Sequence, residues 1–122
     1  MIVFLMFSAC SQSVLPKAEV SEYAWHEPCP KSEREQRMLP VNGIELNVAC
    51  RGEGPTVVFL HGFPEFHYSW NAVMDELVDE YRLIAPDQRG YNLSDKPTDV
   101  DSYHLSHLYE DVVQLLPLVS PD

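Results

Sequence analysis

The sequence predicts an α/β domain in which parallel strands are buried between helices, and three observations carry that prediction. Val57-Val58-Phe59-Leu60 is a run of four large apolar residues with no alternation, the pattern of a strand buried on both faces. Trp70, Val73, Met74, Leu77, Val78 and Tyr81 then recur at spacings of three and four, which puts one apolar stripe on a helix of about three turns. Arg82-Leu83-Ile84-Ala85-Pro86 follows as a second short buried strand. A strand, a helix and a strand in that order form a βαβ unit, whose right-handed crossover sets the two strands parallel.

Composition bounds the size and the partners. At 122 residues, 45% hydrophobic and 22% charged, the chain fits one small globular domain. Its formal net charge of −11, with no cluster of Lys or Arg, excludes a general basic surface for nucleic-acid phosphates or anionic lipid.

Three segments are expected along the chain. Residues 1–10 are a leader: Met1 to Phe7 is unbroken apolar sequence, too short to span a bilayer but the length of a signal-peptide core, and Ser8-Ala9-Cys10-Ser11 follows. Ser-Ala-Cys resembles the lipobox of bacterial lipoproteins, which makes Cys10 a lipidation candidate and the protein exported or lipid-anchored; without a working leader it is cytoplasmic. No Lys or Arg precedes the apolar run, and Phe7 stands where the lipobox usually has leucine. Residues 11–37 are polar, hold Pro16, Pro28 and Pro30, and read as a linker. Cys29 and Cys50 lack a metal spacing such as Cys-x-x-Cys; they could pair in an oxidising compartment but read as isolated thiols.

The folded domain is expected over residues 38–122. Met38 to Val41 and Ile44 to Cys50 form two strands around Asn42-Gly43, the strongest short hairpin signal. Ile44, Leu46 and Val48 share one face, and Pro40, which has no N–H for a ladder, makes the first strand the outer one. The buried strand at Val57 ends at His61-Gly62-Phe63-Pro64-Glu65, and the strand at Leu83 ends at Asp87-Gln88-Arg89-Gly90-Tyr91. Ligands bind beyond the carboxyl ends of strands in open α/β sheets, so these two loops are the candidate site. Asp87 and Arg89 are expected to fix their turn by hydrogen bonds, and Gly90 to take a positive φ. Leu105, Leu108, Val112, Leu115 and Leu116 mark a last helix, which Pro117 should end. His104 and His107 share a face of it, but two histidines without a third ligand read as surface residues.

Residues Val57 to Leu116 resemble the N-terminal part of the α/β-hydrolase fold, most closely the epoxide hydrolases and their dehalogenase relatives. His61-Gly62-Phe63-Pro64-Glu65 is similar to the family's H-G-x-P oxyanion loop, and Asp87-Gln88-Arg89-Gly90-Tyr91-Asn92-Leu93-Ser94-Asp95 to its D-x-R-G-Y-x-x-S-D loop. The resemblance implies a β-hairpin, a parallel βαβ unit and a following helix. It implies that Phe63 supplies a backbone N–H to the oxyanion hole, that the Phe63–Pro64 peptide is cis, and that His61, Gly62, Pro64, Asp87, Arg89 and Gly90 are loop-forming, His61 not being the general base. Haloalkane dehalogenases place a halide-binding asparagine where Phe63 stands, so an epoxide hydrolase or a fluoroacetate-type (haloacid) dehalogenase fits better. In those relatives an aspartate attacks carbon and a histidine-activated water hydrolyses the resulting ester; the resemblance implies a small-molecule substrate such as an epoxide, and neither cofactor nor metal.

No G-x-D-x-G nucleophile elbow occurs in the sequence, and the late acid and histidine of the family have no counterpart. The reading is therefore a truncated hydrolase with an incomplete sheet, inactive alone. The alternative is a non-catalytic exported interaction module. The family's strand order, first, second, fourth, third, fifth, further predicts that the Thr56–Leu60 strand has an unpaired edge through which the chain self-associates.

Overall fold

The computed structural model describes residues 4–6 and 22–120, which form one mixed five-stranded sheet with helices on both faces. The strands are β1 (Phe4–Met6), β2 (Glu35–Val41), β3 (Ile44–Arg51), β4 (Thr56–Phe59) and β5 (Arg82–Pro86), in the spatial order β1-β4-β5-β3-β2. Between β4 and β5 a 3₁₀ turn, His67–Trp70, leads into α1 (Asn71–Leu77); a second 3₁₀ turn, Asp101–Tyr103, precedes α2 (Leu105–Val119).

The predicted βαβ unit is present. β4 and β5 are parallel, with Val57 opposite Leu83 and Val58 opposite Ile84. The hairpin β2–β3 turns at Asn42 and Gly43, whose φ angles of 49° and 76° are the two left-handed residues that a type I′ turn requires. β2 lies at the edge of the sheet, as the proline at position 40 dictates.

Period-two alternation divides the core between the two faces. Leu46, Val48, Cys50, Val58 and Ile84 point to one side, where Trp25, Leu115, Leu118 and Val119 cover them. Ala49, Val57, Phe59, Leu83 and Ala85 point to the other and meet Met74, with Trp70, Val73 and Leu77 packed around it. Burying a Leu, Ile or Phe side chain in this way is worth about 1.5–3 kcal/mol, so β3, β4 and β5 are each held by both layers at once.

Several expectations are corrected. The domain does not begin at Met38: β2 starts at Glu35, and Trp25 is wholly buried, so part of the expected linker belongs to the fold. The buried Arg82 holds that segment, its guanidinium donating to the carbonyls of Trp25, Glu27 and, at 2.8 Å, Val119. Cys29 and Cys50 are not isolated thiols but a disulfide with Cα atoms 5.8 Å apart, beside a β-bridge from Cys29 to Gly52. Spacing in sequence could not show this, because the chain between them folds back as the hairpin.

The last helix also differs. Pro117 lies inside α2, which runs on to Val119. Proline costs an interior N–H bond, yet here Leu118 and Val119 are buried, and the carbonyls of Pro117 and Leu118 accept from His26 and from the Trp25 N–H. Leu105, counted in the core stripe, is exposed at the first turn.

The β4 edge expected to be open is covered. β1 pairs with it antiparallel, Leu5 opposite Val58. Cys10 and most of the leader lie outside the described residues.

Candidate active site

Because β4 and β5 are parallel, the chain leaves both strands at the same end of the sheet, and the two loops singled out by the sequence meet there. His61 joins them. The Gln88 backbone N–H donates to His61 Nε2 at 3.0 Å, and the Gln88 side-chain amide donates to the His61 carbonyl. An Nε2 that accepts from a peptide N–H carries no proton, so the proton sits on Nδ1, which donates to the Gly62 carbonyl at 3.0 Å. Tyr91 closes over the ring edge-on, centroids 4.8 Å apart. Both nitrogens of this buried imidazole are thus engaged, and neither is available to take a proton from a substrate or water.

Beyond His61 the first loop turns outward. The Glu65 N–H donates to the Gly62 carbonyl at 2.9 Å across a cis Phe63–Pro64 peptide, a turn of the type that takes cis proline at its third position. Phe63 is 85% exposed, and among the described residues no acceptor takes its backbone N–H.

The second loop turns inward on Asp87, whose side chain is buried. One carboxylate oxygen accepts from the His67 backbone N–H at 2.9 Å and pairs with His67 Nδ1 at 2.8 Å. The other accepts from the side-chain amides of Asn47 and Asn92, each at 2.8 Å. Burial alone would raise the Asp87 pKa, but the bonds from His67, Asn47 and Asn92 outweigh it and hold the carboxyl well below the usual carboxylate range. A carboxylate so saturated binds the loop to β3 and to the 3₁₀ turn; it has no free lone pair facing solvent.

Arg89 does not pair with Asp87, as its place in the same turn suggested. It reaches α2, where Nε and Nη2 form a two-pronged pair with Asp111 at 2.9 and 2.8 Å, both side chains buried. The pair raises the Arg89 pKa, chiefly through the hydrogen bonds to Asp111. Asn42, from the hairpin turn, donates to the same carboxylate at 2.9 Å, so one ion pair joins hairpin, loop and helix. Gly90 has φ of 88°, and a Cβ there would stand 2.7 Å from the Tyr103 ring.

His67, Asn47 and Asp111 escaped the sequence reading, whereas Asn92 and Ser94 stood in the second motif without an assigned role; Ser94 Oγ accepts from the Asn47 N–H at 2.9 Å and donates to the Asp87 carbonyl. For Asp111 a signal was present: it stands three residues after Leu108 and four before Leu115, inside the apolar stripe, where a carboxylate needs a partner. Asn47 alternates away from the Leu46–Val48 face, and there the Asp87 loop covers it. His104 and His107 are exposed, and among the described residues no group of three or more His, Cys, Asp or Glu is placed to hold a metal ion. A cavity of about 530 Å³ opens at the hairpin turn between Tyr23, Asn42, Glu45 and Leu118; it shares no residue with the Phe63 loop.

Comparison with known proteins decides the family. The model of the alpha/beta hydrolase fold matches residues 55–121, more than half of the chain and both loops. The chain belongs to the α/β-hydrolase fold family. Within this family it is epoxide hydrolase-like. It is 56% identical over 83 residues to the AB hydrolase superfamily protein YfhM of Bacillus subtilis, covering 66% of this chain and 29% of that one. To epoxide hydrolase 1 of Caenorhabditis elegans it is 36% identical over 113 residues, covering 91% of this chain and 27% of that one. Among solved structures, the epoxide hydrolase VrEH1 from Vigna radiata superposes with a TM-score of 0.68 at 48% identity, covering 70% of this chain and 27% of that one. The α/β-hydrolase chain described here thus spans less than a third of the length of these relatives.

Proposed function

We propose that this chain supplies one arm of the oxyanion hole of an epoxide hydrolase-like enzyme, with the Phe63 backbone N–H as the donor, and that residues 1–122 turn over no substrate by themselves. The observation that carries this reading is the contrast at Phe63: a backbone N–H with no acceptor among the described residues, on a loop whose neighbour His61 is locked through both ring nitrogens. Relatives named as epoxide hydrolases support the substrate class, an epoxide opened by an aspartate to an ester that water then cleaves. The oxyanion of that second step is what a preoriented N–H stabilises, by about 3 to 4 kcal/mol per donor in hydrolases. His61, Gly62 and Pro64 shape the donor's loop, and Asp87, Arg89 and Gly90 brace it from beneath.

A chimera tests the donor. Residues 22–120 of this chain replace the N-terminal part of the Vigna radiata enzyme that they match, and turnover of a chromogenic epoxide is measured. Phe63→Pro, which deletes the N–H, should lower kcat by about 10²- to 10³-fold, while Phe63→Ala, which keeps it, should not. Equal turnover by the two variants would reject the role. The isolated chain should show no turnover, since nucleophile and base act as a unit; activity that co-migrates with it on a column would reject that half of the proposal.

We also propose that the chain is exported and that Cys10 accepts a lipid. The Cys29–Cys50 disulfide supports export, because such bonds persist in oxidising compartments and are rare in the cytosol. Labelled palmitate should enter the chain in a bacterial host and fail to enter Cys10→Ser; a product that keeps Met1 and takes up no label counts against it.

A further inference from the structure

The Phe63 loop starts at the buried His61 and ends at the buried His67, and both ends are tied to the loop after β5. The first tie is the pair of bonds between His61 and Gln88. The second is Asp87, one of whose oxygens takes both the His67 backbone N–H at 2.9 Å and the ring Nδ1 at 2.8 Å. Asp87 is fully buried yet stays ionised, because the bonds it accepts outweigh the burial that would neutralise it. An ionised carboxylate only accepts, so His67 Nδ1 carries the proton whether the ring is neutral or charged. The other oxygen of Asp87 is held by Asn47 of β3, which roots this tie in the sheet. Between the two ties the loop closes on itself through the Glu65 N–H, which donates to the Gly62 carbonyl at 2.9 Å. His67 belongs to neither of the two loop motifs.

We propose that the His67 imidazole is a positioning residue for the Phe63 donor: its Nδ1–H, taken by Asp87, fixes the far end of the loop whose near end His61 fixes. Two donors from one residue on one oxygen close a ring through Cα and Cβ, so the pair orients residue 67 as well as placing it. That second constraint matters for an oxyanion donor, which has to stand within about 0.5 Å and 10–20° of its productive geometry, while a misplacement of about 1 Å costs on the order of 10²-fold in rate. His67 acts through the backbone and is not itself a donor to the oxyanion. The pin is a property of the chain alone; its catalytic consequence rests on the reading of Phe63 as the donor.

The pin is read in the full 122-residue chain. At neutral pH the NMR shifts of the ring nitrogens should show His67 protonated at Nδ1, and a tautomer protonated at Nε2 alone would overturn the proposal with no substitution made. His67→Phe keeps a flat ring without the donor, and His67→Asn keeps an N–H near the place of Nδ1. The Glu65 amide should exchange about tenfold or more faster in His67→Phe than in wild type and stay within about threefold of it in His67→Asn, while the Gln88 amide, at the other tie, stays within about threefold in both. Equal Glu65 exchange in all three chains, or equal acceleration at Glu65 and Gln88, would mean that His67 only packs. Should His67→Phe fail to fold, His67→Gln takes its place, its N–H standing where Nε2 was and not where Nδ1 was. The chimera carrying residues 22–120 reads the consequence: His67→Phe should lower kcat about tenfold with KM unchanged, His67→Asn should restore most of that, and in the Phe63→Pro background His67→Phe should cost nothing further, since the donor it positions is gone. Intact turnover in the Phe63→Pro chimera would reject the donor reading and this proposal with it. A Phe63→Pro chimera that loses turnover, with His67→Phe costing as much in its presence as without it, would overturn the positioning and leave the donor reading standing.

Discussion

The two loops at the carboxyl end of β4 and β5 begin alike, each leaving an apolar buried strand with a polar residue, yet they are put to opposite uses. The loop after β5 turns its polar groups inward: Asp87 is buried under donors from three different parts of the chain, and Arg89 is buried against Asp111. The loop after β4 turns outward after His61, leaving Phe63 exposed with an N–H that no acceptor among the described residues takes. The role proposed for Phe63, a donor held ready for a transient charge, needs a fixed backbone, and the saturated loop bonds to the outward one through Gln88 and His61. The difference shows that the polarity of a strand-end loop does not by itself mark it as reactive; whether its polar groups are already paired has to be counted first.

The largest break in that comparison should come from Asp87. Asp87→Ala leaves the donors of His67 and Asn47 buried and unpaired and takes the acceptor from Asn92, and the chain should lose about 3 to 5 kcal/mol in urea unfolding. The pH dependence carries the same signature. Because the folded pKa of Asp87 is depressed, its contribution is complete above the ordinary carboxylate pKa of about 4 and is lost as pH falls below it. Asp87→Asn should therefore be less stable than wild type at pH 7, and the gap should narrow as acid is added; a constant gap would mean that Asp87 is not held ionised by the fold.

A smaller effect is expected from the staple on the opposite side of the sheet. Cys29 and Cys50 are 21 residues apart, and closing a loop of that length is worth about 3 kcal/mol. Cys29→Ser should lower the urea midpoint by a corresponding amount, and a reducing agent should bring wild type to the same value while leaving the variant unchanged.

The smallest effect belongs to Phe63. With its side chain 85% exposed, Phe63→Ala should change stability by no more than about 0.5 kcal/mol. A larger loss would show that the Phe63 loop, too, is held by packing, and the contrast between the loops would fail.

What the sequence by itself determined is the part of the molecule governed by local period and turn chemistry. The unbroken run at Val57, the three-four spacing from Trp70, and Asn42-Gly43 each specify a conformation within a few residues, and the parallel pair β4–β5, the hairpin and the edge position of β2 follow from them. The motif pair His61–Glu65 and Asp87–Asp95 likewise stood out by residue type alone. Only the tertiary structure decided who pairs with whom. Arg89 binds Asp111, 22 positions on, and not its neighbour Asp87; Asp87 is met by Asn47, 40 positions back; Arg82 holds carbonyls of a segment that composition marks as a tether. Those partners are brought together by the hairpin folding under the loop and by α2 crossing the sheet, and a buried charge takes whichever donors surround it, at any separation in sequence, because leaving it unpaired costs more than any local preference can return.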